Sequence, residues 1–370
     1  MKKIACIRIG GLDVGGSEKA LQNIAVILAQ NNYHVDYYYA DLNGYKILKS
    51  HPLRLEYIKS HGVNPIKFNV RDVNIKVPTH DWVDHNFWEV FDETKYDAIQ
   101  TARYGHPEYP FTLIHKTPII DGIHGDLSED KDNIAKSLLL SKWHLDRWSN
   151  PNVPWDQPRI PRKGNVNKAI VIPNLVQVPE KFTSTFREKL GIPKEDFVYG
   201  LHQRNDEGIF SPISLSAYSK ISNKNNHFII LGGSNSHRQQ AQQLNLNNIH
   251  FIEHTSDINV IHDFLESIDV YAHSRRDGEV CSFCIIEAMY HGKPVISYPG
   301  TVSQGHFEQI EDCGYMANSV EDYANKMIEI ENNKDIYLDM SKKTYQKYSE
   351  KYSYDSIKNK ILNVYDEVLS

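Results

Sequence analysis

Short, mainly apolar runs alternate along this chain with segments whose apolar residues recur at helical spacing. Residues 3–9 form one such run, and residues 17–30 place Ala20, Leu21, Ile24, Ala25 and Leu28 on one helical face. Further strand-like runs lie at His34–Ala40, Pro65–Val70, Tyr96–Thr101, Pro118–Ile123 and Ser137–Ser141. Ala169–Asn174 reads as the last strand of a first unit. A second series follows: strands at Phe197–His202, His227–Gly232, Ile249–His254, Val270–His273 and Val295–Ser297. Between them helices are expected from Ser211, near 237–244, at 258–267 and at 283–291. Helices close the chain, one marked by Val320, Tyr323, Ala324, Met327 and Ile328, the last by Tyr354, Ile357, Ile361, Val364, Tyr365 and Val368. Strands without polar alternation, each followed by a helix, are covered on both faces. The pattern therefore predicts an α/β protein of two doubly wound parallel sheets, residues 1–176 and 177–353.

Two stretches break the alternation. Residues 71–94 carry Trp82, His85, Phe87 and Trp88 among many charges, and residues 149–166 hold Pro151, Pro154, Pro158 and Pro161. Long irregular segments in compact domains are often functional. The first is read either as a site of acceptor contacts, through Trp82 and His85, or as an ordinary helix with exposed aromatics.

Length and composition narrow the class. A chain of 370 residues makes about two domains, and 40% hydrophobic with 24% charged residues suits a globular protein. A net charge of −6 argues against a nucleic-acid partner. Four cysteines make no disulfide framework, so a reducing compartment is expected. Cys281 and Cys284 form a C-x-x-C without a second pair, and packing is the reading preferred over zinc or redox chemistry. No apolar stretch is long enough to span a membrane. The apolar start at residues 3–9 is cut short by Gly10, Gly11 and Asp13, and reads as a core strand rather than a leader. A cytoplasmic location is expected, with peripheral contact at the inner face of a membrane as the alternative.

Two motifs carry candidate chemistry. Gly10-Gly11-Leu12-Asp13-Val14-Gly15-Gly16-Ser17-Glu18 joins the first strand to the first helix. Glycines and free helix-start amides suit an anion or a closely approaching ligand. No G-x-G-x-x-G passes through them, and Ser17 stands where a Walker-A lysine belongs. A sugar diphosphate, an acceptor and plain close packing remain as readings. Arg8, odd in a buried strand, reaches either this site or a buried carboxylate. The second motif is Glu279 and Glu287, seven residues apart, the first on a turn after a strand and the second within the next helix. Two acceptor-only carboxylates so placed can hold hydroxyls at separate points of one long polar ligand.

With both loops in view the chain resembles the retaining glycosyltransferases of GT-B fold, of the family 4, or group 1, type. The resemblance runs from Gly15-Gly16-Ser17-Glu18 through Ile172-Pro173-Asn174 to the E-x7-E and the Glu-Ala-Met-x-x-Gly-x-Pro-Val-Ile run at 287–296. It implies two Rossmann-like domains facing across a cleft, with residues 354–370 returning to complete the N-terminal, acceptor domain. It implies a nucleotide-diphosphate sugar as donor and a glycan, lipid-linked or small-molecule acceptor, with no cofactor and no metal, there being no convincingly placed D-x-D pair. Glu287 resembles the ribose-binding glutamate. Glu279 resembles the one on the donor-sugar hydroxyls, with Ser282 and Phe283 beside the diphosphate. His124 resembles the active-site histidine and Arg204 the arginine on the leaving diphosphate. Gly15 and Gly16 fall to the donor, and Asp13, Trp82 and His85 to the acceptor.

One departure stands out. The family places a lysine five or six residues after the arginine, where this chain has Ile209 and Phe210. Arg8, Arg275 and Arg276 are the cations available to replace it. The rival expectations are a weak or inactive sugar-nucleotide binding protein and a nucleotide-sugar epimerase.

Overall fold

The computed structural model of the chain describes residues 1–8, 11–41, 50–76, 79–103, 109–125, 131–150 and 164–370. Gly10, Asp126 and the four prolines of the 149–166 stretch lie outside the described residues. The chain divides into two compact units, Met1–Pro173 with Ile357–Ser370, and Asn174–Ser356.

In the first unit a parallel sheet holds β1 (Lys3–Ile7), β2 (His34–Ala40), β3 (Asn64–Phe68), β6 (Ala98–Arg103), β7 (Ile119–Ile123), β8 (Ile134–Leu139) and β9 (Ala169–Val171). Their order is β3-β2-β1-β6-β7-β8-β9. The order reverses between β1 and β6, and the carboxyl ends of strands at such a point are where doubly wound sheets bind ligands. Helix Gly16–Gln30 buries Ala20, Leu21, Ala25 and Leu28 of the stripe read from its period, together with Gln22, Asn23, Val26 and Ile27, while Ile24 is half-buried. Ala5, Ile7, Tyr38, Phe68, Phe87, Ile99 and Ile119 form the core on one side.

The 71–94 stretch is neither an irregular loop nor one helix. β4 (Val70–Lys76) and β5 (Thr79–His85) pair antiparallel, with a register shift near Asp72, and only Phe87–Val90 is helical. The two-residue period of Val73 and Ile75 between polar neighbours is the sequence signal for this ribbon. Trp82 is 4% exposed and packs against Phe68, Phe87 and Tyr109 at ring-centroid distances of 4.6, 5.2 and 5.5 Å. The ring assigned to acceptor contact is therefore a core residue of its own unit. His85 is tied through Nε2 to the Tyr109 hydroxyl at 2.7 Å, while its Nδ1 accepts from the Phe87 amide at 3.1 Å.

The second unit repeats the plan with β10 (Phe197–Gln203), β11 (Asn226–Gly232), β12 (Ile249–Ile252), β13 (Val270–Ala272), β14 (Val295–Ser297) and β15 (Gly314–Met316). All are parallel, in the order β12-β11-β10-β13-β14-β15, so the reversal falls between β10 and β13. Tyr199, Leu201, Tyr218, Phe228, Ile230, Tyr323 and Met327 are among its core residues.

Helix Tyr354–Leu369 carries the chain back to the first unit. There Ile357, Ile361, Val364 and Tyr365 are buried, and the Tyr365 hydroxyl donates to Gln100 Oε1 at 2.7 Å. Among the described residues no helix is long and apolar enough to cross a membrane.

Candidate functional site

In the second unit both strands at the order reversal end in loops rich in charge. After β10 come Arg204 and Asp206, and after β13 come His273, Arg275, Asp277 and Glu279. The two loops are stitched together: the Arg276 amide donates to the Ile209 carbonyl at 3.1 Å. The Gln203 side-chain amide reaches the carbonyls of Ile209 and Ser274 at 3.5 and 3.3 Å. Side chains from both loops therefore share one patch.

Glu279 stands on the turn and Glu287 in helix Phe283–Tyr290, as the spacing predicts. Glu279 Oε1 lies 3.4 Å from His273 Nε2 and 3.7 Å from an Arg275 terminal nitrogen. Burial pulls its pKa up, but the hydrogen bond to His273 and the charges of Arg275 and His273 outweigh it and bring the value down to about 2. The carboxylate is an acceptor across the working pH range. His273 is itself fixed, its Nδ1 meeting Ser297 Oγ at 2.7 Å. Arg275 is held by Asp277 through two bonds of 2.6 and 2.9 Å.

Backbone shape sets this turn. Gly278 has φ of +70°, and a Cβ there would sit 1.9 Å from the Ser303 carbonyl oxygen. Both the left-handed conformation and the close approach demand glycine. Gly278→Ala is expected to destabilise the protein by about 2–3 kcal/mol and to displace Glu279. Thermal unfolding measures the first effect and nucleotide-sugar affinity the second; wild-type values for both would refute the account.

Ser282 caps helix Phe283–Tyr290, accepting from the Ile285 amide at 3.3 Å, and Gln309 brackets its backbone at 2.7 and 3.0 Å. The fully buried Ser282 hydroxyl thus serves the helix start and also stands by the Glu279 carboxylate, and Phe283 is half-buried beside it. Glu287 is buried, with Oε2 3.7 Å from His202 Nδ1. Burial lowers the His202 pKa, but Cys284 and then Glu287 outweigh it and raise the value to about 10.

Arg204 is more than half exposed and pairs with Asp206 at 2.7 Å. The positions where the resemblance expects lysine are apolar and packed. Ile209 is buried and Phe210 meets the His237 ring edge-on at 4.7 Å. Of the replacements considered, Arg275 stands beside Glu279 in this unit and Arg276 is exposed on the same loop.

Arg8 belongs to the first unit and has another task. It donates to Ser17 Oγ at 2.8 Å, to Glu18 Oε1 at 2.5 Å and to the Ala102 carbonyl at 3.3 Å. The carboxylate it reaches belongs to the glycine loop itself, so the two fates read for it coincide. Glu18 folds over the glycine turn, so that a Cβ on Gly15 would lie 2.2 Å from its Oε2. Glu18, its charge balanced by Arg8, therefore lies against the helix start at Gly15 and Gly16. Asp13 beside it accepts from the Val14 amide at 2.8 Å.

His124 follows β7, its amide donating to the Arg103 carbonyl at 2.8 Å. Burial, then the charges of Arg8 and His144, push its pKa down to about 3, leaving a neutral imidazole. Beneath it Arg103 and Asp121 form a two-pronged ion pair, both bonds 2.7 Å and both side chains 1% exposed.

Residues 183–347 match the family model for glycosyl transferases group 1. The match lies within the second unit. No protein of curated sequence matches the chain. Among solved structures, HepE of Anabaena in complex with UDP-glucose aligns at TM-score 0.72 and 16% identity, over 99% of this chain and 100% of that one. A glycosyltransferase of Rickettsia africae gives 0.71 and 15%, covering 100% and 99%. The sucrose-phosphate synthase of Thermosynechococcus elongatus gives 0.69 and 16%, again covering 100% and 99%. At such identities these likenesses speak for the fold, the GT-B architecture. The group 1 match supports a glycosyltransferase.

The second unit holds partners that the sequence pattern did not reveal. His273 directly follows β13 and contacts Glu279; His202 is the last residue but one of β10 and faces Glu287. His306 brackets Glu279 from the other side, its amide donating to the Glu279 carbonyl at 2.9 Å. A histidine at the carboxyl end of a strand bordering the reversal was the available signal for the first two. Nothing in the sequence pairs position 306 with 279.

Proposed function

We propose that the protein transfers a sugar from a nucleoside diphosphate sugar to an acceptor hydroxyl, with retention and without metal. The observation that carries this reading is the Glu279–Glu287 turn and helix at the order reversal of the second sheet, with Glu279 held ionised by His273 and Arg275. Glu279 accepts hydrogen bonds from donor-sugar hydroxyls, and Glu287 from the ribose. Arg204, tethered among the described residues to Asp206 and largely exposed, swings onto the leaving diphosphate. Arg275 adds positive charge beside it, in the role of the missing lysine. Neutral His124 accepts a hydrogen bond from the sugar or the acceptor. Uridine is the base to test first, because HepE binds UDP-glucose.

A second reading, a binding protein with little turnover, is favoured by one observation: Ile209 and Phe210 are packed into the domain. Turnover separates the two. Thermal-shift measurements with UDP, GDP, ADP and their sugars identify the donor, a ligand at 100 times its dissociation constant adding about 2.7 kcal/mol. Arg204→Ala is then expected to lower donor hydrolysis or transfer at least tenfold, about 1.4 kcal/mol. Ligand binding with neither reaction in the native protein supports the second reading. Full activity in Arg204→Ala removes the assigned site.

A further inference from the structure

At the end of β10 the His202 side chain turns toward the first turns of helix Phe283–Tyr290. A nitrogen of its ring, the Cys284 thiol and a Glu287 oxygen lie within 4.8 Å of one another. The imidazole is 10% exposed, and among the described residues its Nδ1 has no hydrogen-bond partner. A buried ring nitrogen in that state is uncommon. Cys284 and Glu287 are three residues apart on one helix, so both leave the same face toward His202. Imidazole, thiolate and carboxylate are the donor types that a borderline divalent ion takes up, and three of them leave a fourth position open. The C-x-x-C itself is not the site: Cys281 is buried, its carbonyl held by Asn174 at 2.8 Å. The motif contributes one sulfur, and the strand end supplies its partner.

We propose that His202, Cys284 and Glu287 form a binding site for a zinc-class divalent cation. Metal–ligand bonds of about 2.0–2.3 Å bring ligand atoms to about 3.5 Å apart, so the cluster must contract by roughly 1 Å, which side-chain rotation supplies. Binding releases the Cys284 thiol proton and any proton on His202 to solvent, with no change of oxidation state. Thiolate and carboxylate together balance the ion's two positive charges. Occupied, the site engages Glu287, so the cation and the nucleotide ribose compete for one carboxylate. That competition rests on the function proposed above; the binding of the cation does not.

The test uses the full-length protein, freed of metal with a chelator and titrated with Co²⁺ near neutral pH, where a cobalt–thiolate bond gives a charge-transfer absorption. One equivalent is expected to bind with that band, and Zn²⁺ to displace it. Cys284→Ser should abolish the band and Cys281→Ser keep it. His202→Gln and Glu287→Gln should weaken binding at least tenfold, with thermal unfolding showing that each variant is folded. No stoichiometric band in the native protein, or an equal band in folded Cys284→Ser, overturns the site. With UDP bound, the apparent dissociation constant for Co²⁺ should rise. An unchanged value overturns the competition. Failure of any nucleotide to bind or react instead removes the functional reading and leaves the band standing.

Discussion

Glu279→Gln is expected to lower kcat/KM for sugar transfer about a hundredfold, close to 2.7 kcal/mol, while leaving the fold intact. The size follows from what the carboxylate does. It accepts from His273 at 3.4 Å and faces Arg275 at 3.7 Å, so an amide there weakens charge-assisted contacts, each worth about 1.5–3 kcal/mol. It also presents a donor nitrogen where sugar hydroxyls need an acceptor. Steady-state kinetics with the identified donor read the effect; activity within threefold of wild type would remove Glu279 from the site. The same substitution has a signature in acid. The folded-state value is about 2 against an ordinary 4.5, so this group adds stability that is complete above pH 4.5 and is lost as pH falls toward 2. Acid unfolding of Glu279→Gln should lack that component, and an unchanged profile would show that the carboxylate is not held as described.

Asp121→Asn is expected to destabilise the first unit by about 3–5 kcal/mol, the largest stability loss for any single exchange considered. Arg103 and Asp121 are both 1% exposed, and Asp121 also accepts from the Thr101 hydroxyl at 2.7 Å. Removing the negative charge strands a guanidinium in a place water cannot reach. Chemical denaturation measures the cost. A loss under 1 kcal/mol would mean that the pair is screened by solvent, contrary to its burial. Because His124 hangs from the Arg103 carbonyl, the folded fraction of this variant should also transfer sugar more slowly.

The two parallel sheets were legible because most strands are rich in apolar residues without strict alternation and several helices repeat an apolar stripe. His34–Ala40 and Ile258–Ser267 appear with the ends that the pattern suggested. The β4–β5 ribbon was not, since its few apolar residues are spread among charges and one face of a two-stranded element carries little signal. The placement of Glu279 on a turn and Glu287 in a helix could be read from local sequence alone. The groups that govern their chemistry could not: His202 lies 80 or more residues from Cys284 and Glu287, and only parallel pairing of β10 with β13 brings the segments together. Arg8 shows the same limit, because an arginine in an apolar strand announces a partner without saying which.

The tail that packs beneath Gln100 also orders events in time. Ile357–Ser370 leave the ribosome after the entire Asn174–Ser356 unit, yet Tyr365 bonds to Gln100 in the sheet formed by the first half of the chain. The half made first is therefore the half finished last, and through synthesis it must wait with the seat for that helix bare. A nascent chain of this design presents its early sheet to chaperones for longer than its late one.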